Sequence, residues 1–392
     1  MENLKKLMIR EGINDVSRLA MDCANMFYYS IEEQQDLKFS AIKAAFNFHY
    51  KYSDFYNQYC KQEGFSPDDL NSYGDVPKIP LIPINYFKEG KSDAMLSLSM
   101  DYKQLEFHSS GTSGNHSVAY RDSVTNEHAI VGLFNLYMEL LDMRTYGSPA
   151  GLFLTPSITS APNLGMLRAL AIMNSVLATQ TYIIEGNEFD FAKAVNFINE
   201  WNGKIPVYIV GPPFIVNFFL EYLKANKITF NLGKTGRVIT TGGWKRYTGQ
   251  IITREDFIKK CADAFGIKKD QYRDMYGLIE LNQLSIECSN HKKHVPPFSE
   301  FFIRDLENHT NLCPDGKEGL ISIIDPTVMA YPGFLITQDV GVVHHEYKCA
   351  CGRTSTIMNI IGRAPLAEDI NCSITLDQYL SGKTEKLNYS YS

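Results

Sequence analysis

From residue 123 to residue 265 the chain alternates helical and extended patterns with little interruption, and no other feature narrows the choice of fold as much. The spacing predicts helices over about 123–143, from about 164, and over 190–201, 213–225 and 254–265. Between them it predicts strands at 151–154, 181–184, 207–210 and 237–240. Repeated strand–helix units argue for an α/β fold, a mostly parallel sheet flanked by helices.

The flanking segments have different textures. Over residues 16–70 apolar side chains such as Phe39, Ile42, Ala45 and Phe46 recur at three- and four-residue intervals, which predicts a helical N-terminal cap. Val76-Pro77-Lys78-Ile79-Pro80-Leu81-Ile82-Pro83 cannot be a helix interior, because its prolines remove donors and push their neighbours to extended conformations. An extended connector is expected there. From Glu300 onward, short strands at 301–303, 320–324 and 341–343 separated by Pro/Gly/Asp clusters predict a β-rich subdomain. The expected organisation is a cap over 1–75, an α/β core over 76–299, a β-rich subdomain over 300–361 and a short tail over 362–392.

Composition excludes several classes. The formal charge is -6 with acids and bases interspersed, so no broad cationic surface exists for nucleic acid. No stretch reaches the roughly 18 apolar residues of a membrane span, and a cytoplasmic location is the expectation. The 8 cysteines are widely scattered, unlike a small secreted disulfide scaffold, so reduced thiols are expected. With 23 Phe and 23 Tyr, the aromatic content suits either a large core or a cleft for an apolar substrate.

Ser109-Ser110-Gly111-Thr112-Ser113-Gly114 lies between Gln104-Leu105-Glu106-Phe107 and the helical pattern that begins near Ser123. Two glycines let backbone N–H groups bend around phosphate oxygens, while Ser109, Ser110, Thr112 and Ser113 add hydroxyl donors. An ordinary surface turn has the same composition. A Walker loop is absent, since Gly114 is followed by Asn115 and His116, and so is the Gly-x-Gly-x2-Gly dinucleotide fingerprint.

Four further features suit one nucleotide site. Thr240-Thr241-Gly242-Gly243-Trp244-Lys245 runs a strand into paired glycines, where an open α/β sheet admits ligands at its carboxyl edge. Met275-Tyr276-Gly277-Leu278-Ile279-Glu280 offers an aromatic for a base and a carboxylate for magnesium. Thr337-Gln338-Asp339-Val340-Gly341 carries a carboxylate suited to ribose hydroxyls, and Gly362-Arg363 a cation for phosphate or ribose. Taken singly, each is also what a turn, a hairpin or a solvated side chain looks like.

In this order the motifs resemble the acyl-adenylate-forming superfamily and, within it, the acyl-protein synthetase family, whose known members supply the fatty-acid ligase of the bacterial luminescence reductase. Pro80-Leu81-Ile82-Pro83 and His294-Val295-Pro296-Pro297 add to the likeness, which runs from about Ile79 to Cys372. The resemblance implies an adenylate-forming core whose C-terminal domain is truncated, using ATP and magnesium on a fatty or other carboxylic acid. By position, Ser109 to Gly114 would hold the ATP phosphates, Gly242 and Gly243 the adenine, and Tyr276, followed by Gly277, the base or acyl carboxylate. Glu280 would hold magnesium, Asp339 the ribose hydroxyls, and Arg363 ribose or phosphates.

Two departures stand out. Acyl-CoA ligases place a lysine three positions after the loop's last glycine, where this chain has Ser117, and they carry a catalytic lysine in a C-terminal domain. Gly382-Lys383 mimics that lysine's local motif too soon after Arg363, and Lys245 is the better candidate for a compensating cation. The short tail is similar to that of acyl-protein synthetases, in which a C-terminal cysteine receives the acyl group. Cys372 occupies the comparable place and would pass the group to an acyl reductase or acyl-carrier partner. An acyl- or aryl-CoA ligase and a catalytically inactive scaffold for a reductase are the alternatives.

One cluster stands apart from this chemistry. Cys288, His291, His294, Cys349 and Cys351 supply soft ligands in two short groups, and Cys-x5-His with Cys-x-Cys could give a structural Cys3His zinc site. Reduced cysteines in a Lys/His-rich loop are the plain alternative.

Overall fold

The computed structural model describes residues 2–88, 91–109, 117–186, 188–243 and 252–364. Its centre is the predicted parallel block. Strand Ala150–Pro156 pairs in parallel with Thr179–Glu185 on one side and Val207–Gly211 on the other, and Arg237–Thr241 and Tyr272–Gly277 continue the series. Each of the four strands expected between residues 151 and 240 is present, its ends moved by two residues at most. The chain has the expected α/β fold, a mixed sheet whose parallel strands are flanked by helices.

Alternation along these strands sends neighbouring side chains to opposite faces. Leu152, Leu154, Val207, Ile209 and Val238 enter one core with Phe197, Phe219 and Phe257 of the helices Phe191–Trp201, Pro213–Ala225 and Arg254–Phe265. Phe153, Tyr208, Val210 and Ile239 face the other core, together with Leu136 and Tyr137 of the helix Ser123–Leu140. Burial on both faces explains why Val207–Gly211 reads as an almost unbroken apolar run. The helix boundaries are chemically marked. Asp122 caps Ser123–Leu140 by accepting from the N–H groups of Val124 and Thr125 at 2.8 and 3.0 Å, and Thr253 caps Arg254–Phe265 through Asp256 N–H at 3.1 Å.

Past Tyr272–Gly277 the sheet turns antiparallel through Leu284–Glu287, Lys293–His294, Thr354–Arg363, Phe334–Lys348, Gly319–Ile324 and Glu300–Arg304. The strand expected at 341–343 is the middle of the 15-residue strand Phe334–Lys348, whose pairing slips at Val340/Gly341 and again at His344/Tyr347. N-terminal helices Asn14–Met26, Ile31–Tyr52 and Asp54–Gln62 pack on this antiparallel part, tied by bonds such as Thr354 N–H to Phe27 O at 2.8 Å.

Two local differences from expectation have simple causes. The stretch Tyr73–Lys78 forms a 3₁₀ helix with Pro77 inside it, where an extended connector was expected. One short turn tolerates the missing N–H, and extension begins at Ile79, leading to Ile82–Pro83 beside Leu335 and Ile336. The serine- and glycine-rich loop runs not directly into a helix but into Val118–Arg121, which pairs with Leu105–His108 as a hairpin. Among the described residues, no helix is long and apolar enough to cross a membrane.

Candidate active site

A cavity of about 1170 Å³ opens at the carboxyl ends of Arg237–Thr241 and Tyr272–Gly277. Its polar end is lined by Ser109, Ser117, Gly242, Gly277, Glu280 and Arg363. From there an apolar limb runs between the helices Ser123–Leu140 and Gly165–Met173, past Ile130, Leu133, Met166 and Ile172. One space therefore joins an anion-compatible mouth to a hydrocarbon-compatible slot. Helix Gly165–Met173 sits close to the Glu280 loop, because a Cβ on Gly165 would lie 2.5 Å from Ile279 Cγ2.

Ser109 closes the base of its loop. The Ser109 N–H donates to Ser117 O at 3.0 Å, and Ser109 Oγ accepts from Ser117 N–H at 2.9 Å. Ser110, Gly111, Thr112, Ser113 and Gly114 lie outside the described residues, as do Lys245, Cys372 and the Gly382-Lys383 pair. At the neighbouring strand end, Gly242 has φ +75° and Gly243 is exposed. The left-handed backbone favours glycine at 242, and among the described residues no heavy atom stands within 4 Å of where its Cβ would be.

Glu280 is buried at 3% exposure, and burial pushes its carboxyl above the ordinary range, opposed by a Ser117 hydrogen bond and the Arg121 charge. The backbone around it is held by side chains that motif reading missed. Fully buried Arg121 donates to Ile279 O at 2.7 Å, to Leu281 O at 3.0 Å, to Asn282 Oδ1 at 3.2 Å and to the Tyr331 hydroxyl at 2.7 Å. Tyr331 in turn donates to Glu280 O at 2.8 Å. From the other side, Asp325 Oδ2 accepts from the N–H groups of Asn282 and Gln283 at 2.9 and 2.8 Å.

A second set lies on the antiparallel side. The Tyr276 hydroxyl donates to Asp339 Oδ2 at 2.7 Å. Burial first, and then the Asp339 charge, raises the Tyr276 pKa well above its ordinary value, so it remains a donor. Thr337 Oγ1 accepts from Asp339 N–H at 3.1 Å while donating to Ile321 O at 2.8 Å, which fixes the backbone under that carboxylate. Arg363 stands opposite Asp339 in the strand register, exposed, with Nη2 donating to Gln338 Oε1 at 3.1 Å.

Away from the cavity, Cys288, His294, Cys349 and Cys351 converge, with their ligand atoms all within 4.8 Å of one another. His291 stays outside the group, its Nδ1 3.9 Å from Glu287 Oε2. Contact with Cys288 first, then with His294 and Arg353, favours the thiolate form of Cys351.

A family model described as acyl-protein synthetase, LuxE, matches residues 7–381. The long-chain-fatty-acid–luciferin-component ligase of Vibrio harveyi is 29% identical over 363 residues, covering 91% of this chain and 92% of that protein. Its counterpart from Aliivibrio fischeri is 30% identical over 319 residues, covering 80% and 81%. Among solved structures, 2-hydroxyisobutyryl-CoA ligase with 2-HIB-AMP and CoA, in an open conformation, matches with a TM-score of 0.69 at 14% identity, over 86% of this chain and 76% of that one. At that identity the likeness is one of fold.

Proposed function

This chain belongs to the LuxE acyl-protein synthetase family and is a ligase; from that premise we propose that it activates a long-chain fatty acid with ATP and passes the acyl group through a thioester on Cys372 to a reductase or other carrier. The observation that carries this reading is the single cavity whose polar mouth meets an apolar limb between two helices. An acid seated with its chain in the limb would present its carboxylate beside Glu280 and Ser117. The reading assigns the reaction to the cytoplasm, where ATP is available.

The roles follow from side-chain chemistry. Ser109, Ser110, Gly111, Thr112, Ser113 and Gly114 would hold the ATP phosphates through N–H and hydroxyl donors. Gly242 and Gly243 would let the adenine approach, Tyr276 and Gly277 would flank it, and Asp339 with Arg363 would hold ribose and phosphate. Glu280 fits magnesium, because burial disfavours its lone negative charge and a hard oxygen donor suits that cation. When bound, magnesium would neutralise phosphate charge as it builds. Lys245 would add a positive charge in place of the lysine that Ser117 replaces.

Chemically, a carboxylate oxygen attacks the α-phosphorus, forming the acyl–phosphate bond as pyrophosphate departs. The Cys372 thiolate then adds to the acyl carbon and expels AMP with its electron pair, leaving an S-acyl thioester. Intact-mass spectrometry after incubation with ATP, magnesium and acids of graded length tests this, with Cys372→Ala alongside. The expected result is a hydroxylamine-labile adduct on the wild type that is missing from the variant. Adenylate without a protein adduct, turned over by CoA, would make the protein a CoA ligase; no pyrophosphate exchange with any acid would make it a scaffold.

A further inference from the structure

We infer that Cys288, His294, Cys349 and Cys351 bind one structural zinc ion that locks two turns at the ends of neighbouring antiparallel strands. The distances match a tetrahedron. Zinc bond lengths of about 2.3 Å to sulfur and about 2.0–2.1 Å to nitrogen give tetrahedral edges of about 3.8 Å for S···S and about 3.6 Å for S···N. Cys288 Sγ and Cys349 Sγ are 3.8 Å apart, and Cys351 Sγ and His294 Nε2 are 3.5 Å apart. These are opposite edges of one polyhedron, and every other ligand pair falls within 4.8 Å. A disulfide would bring two sulfurs to about 2.05 Å, far closer than this pair.

The surrounding chain is shaped for such a site. After Leu284–Glu287, Cys288 N–H donates to Lys292 O at 3.0 Å and His291 N–H to Cys288 O at 3.0 Å, with His291 at φ +54°. The turn that joins Phe334–Lys348 to Thr354–Arg363 is built alike. Cys349 N–H donates to Arg353 O at 2.8 Å and Gly352 N–H to Cys349 O at 2.9 Å, with Gly352 at φ +90°. Lys293–His294 pairs directly with Thr354–Arg363, which sets the two turns side by side.

The histidine is oriented as a ligand. Ser355 Oγ lies 3.0 Å from Thr356 O and 2.7 Å from His294 Nδ1, and both bonds form together when the hydroxyl donates to the carbonyl and Nδ1–H donates to the hydroxyl. That leaves the Nε2 lone pair facing the sulfurs, the tautomer that a metal requires. Three thiolates with one imidazole select zinc over the oxygen-preferring cations. Cys288, His294 and Cys349 are buried and Cys351 half-buried, so four protein ligands close the site. The ion would anchor the far end of Leu284–Glu287, whose near end pairs with the strand carrying Tyr276 and Gly277. It would also brace the N-terminal helices, since the Phe27 and His294 rings pack T-shaped with centroids 5.8 Å apart.

The test is metal analysis of the full chain, expressed without a polyhistidine tag and purified without chelator. One zinc per chain is expected, released in step with three thiols on titration with a mercurial. Cys313→Ser, outside the cluster, and His294→Cys, which preserves four soft ligands, should retain the metal, whereas Cys351→Ser should lose it. Cobalt exchanged into the wild type should show the intense visible bands of a tetrahedral thiolate site. Folded wild type that neither carries zinc nor takes it up after reduction would overturn the inference, as would stoichiometric iron or a Cys288–Cys349 disulfide. The readout is metal content, so it stands whether or not the protein forms an acyl-adenylate.

Discussion

Tyr276 and Asp339, 63 positions apart in the chain, meet at 2.7 Å, the tyrosine hydroxyl donating to the carboxylate. This bond joins the last parallel strand to the long antiparallel strand, beside Gly277, Gln338 and Arg363 of the cavity lining. One Asp339 oxygen is thereby occupied, which orients the other.

Asp339→Asn removes the charge from a group proposed to grip ribose, and Tyr276→Phe removes only the bond that aims it. A hydrogen bond to a charged group contributes about 1.5–3 kcal/mol, so Asp339→Asn should lower kcat/KM for ATP by about 10- to 100-fold. Tyr276→Phe should lower it less, with most of the effect in KM for ATP. Acid-dependent ATP–pyrophosphate exchange at varied ATP measures both. Equal KM values in wild type and both variants would remove Asp339 from the nucleotide site.

Arg121→Lys should disable the Glu280 loop without touching Glu280. A lysine ammonium cannot span Ile279 O, Leu281 O, Asn282 Oδ1 and the Tyr331 hydroxyl together. Buried acceptors left unpaired cost about 1–3 kcal/mol each, so a loss of about 2–4 kcal/mol in a urea titration is expected. The magnesium concentration at half-maximal exchange should rise as the carboxylate loses its fixed position. Unchanged magnesium dependence alongside lost stability would make Arg121 a purely structural residue.

What could be read in the sequence depended on whether a residue's role is local. Val207–Gly211 was legible because burial on both faces leaves an apolar run, and Arg237–Thr241 because the β-branched run Val-Ile-Thr-Thr is bounded by glycines. Val118–Arg121 was not, since four residues are too few to display alternation and only pairing with Leu105–His108 makes them a strand. Beyond Gly341 the strand Phe334–Lys348 carries exposed His344, Glu346 and Lys348, which hid its continuation. Ser109, Gly242, Gly277, Glu280 and Arg363 stand in recognisable motifs, and the fold brings all five to one cavity. Arg121 and Asp325 act on the backbone of residues 279–283, far from each in sequence, and nothing in their own neighbourhoods signals it.

Acid should destabilise the fold through histidines buried in the neutral form. His49 is fully buried, its Nε2–H donating to Val328 O at 3.0 Å and its Nδ1 accepting from Ser97 at 2.8 Å, and burial pushes its pKa down to about 3. His128 is shifted in the same direction by the same cause. Below about pH 6.5 the unfolded chain takes up protons that the folded chain refuses, so stability falls as pH drops from there toward 3. The slope is about 1.4 kcal/mol per pH unit for each such histidine. His49→Gln, which can keep both hydrogen bonds, should reduce the slope of unfolding free energy between pH 6 and 4.5 by about one proton's worth. Parallel curves for the two proteins would mean that His49 takes up its proton without unfolding.

Chain-length preference should respond to the apolar limb, and this response separates a true acyl slot from a merely apolar wall. Ala169 lines the cavity on the helix Gly165–Met173, and its carbonyl accepts from the Tyr137 hydroxyl at 2.9 Å, so its backbone is anchored and a larger side chain must grow into the space. Ala169→Phe should leave short acids nearly unaffected and penalise long ones. Each methylene denied burial costs about 0.8 kcal/mol, about fourfold in kcat/KM, so the optimum should move to shorter acids with a slope of that size. Met166→Ala, which removes a flexible side chain from the same limb, should move the profile toward longer acids. If Ala169→Phe lowers activity by one constant factor for every chain length, the hydrocarbon tail lies elsewhere and the limb between the two helices is only packing space.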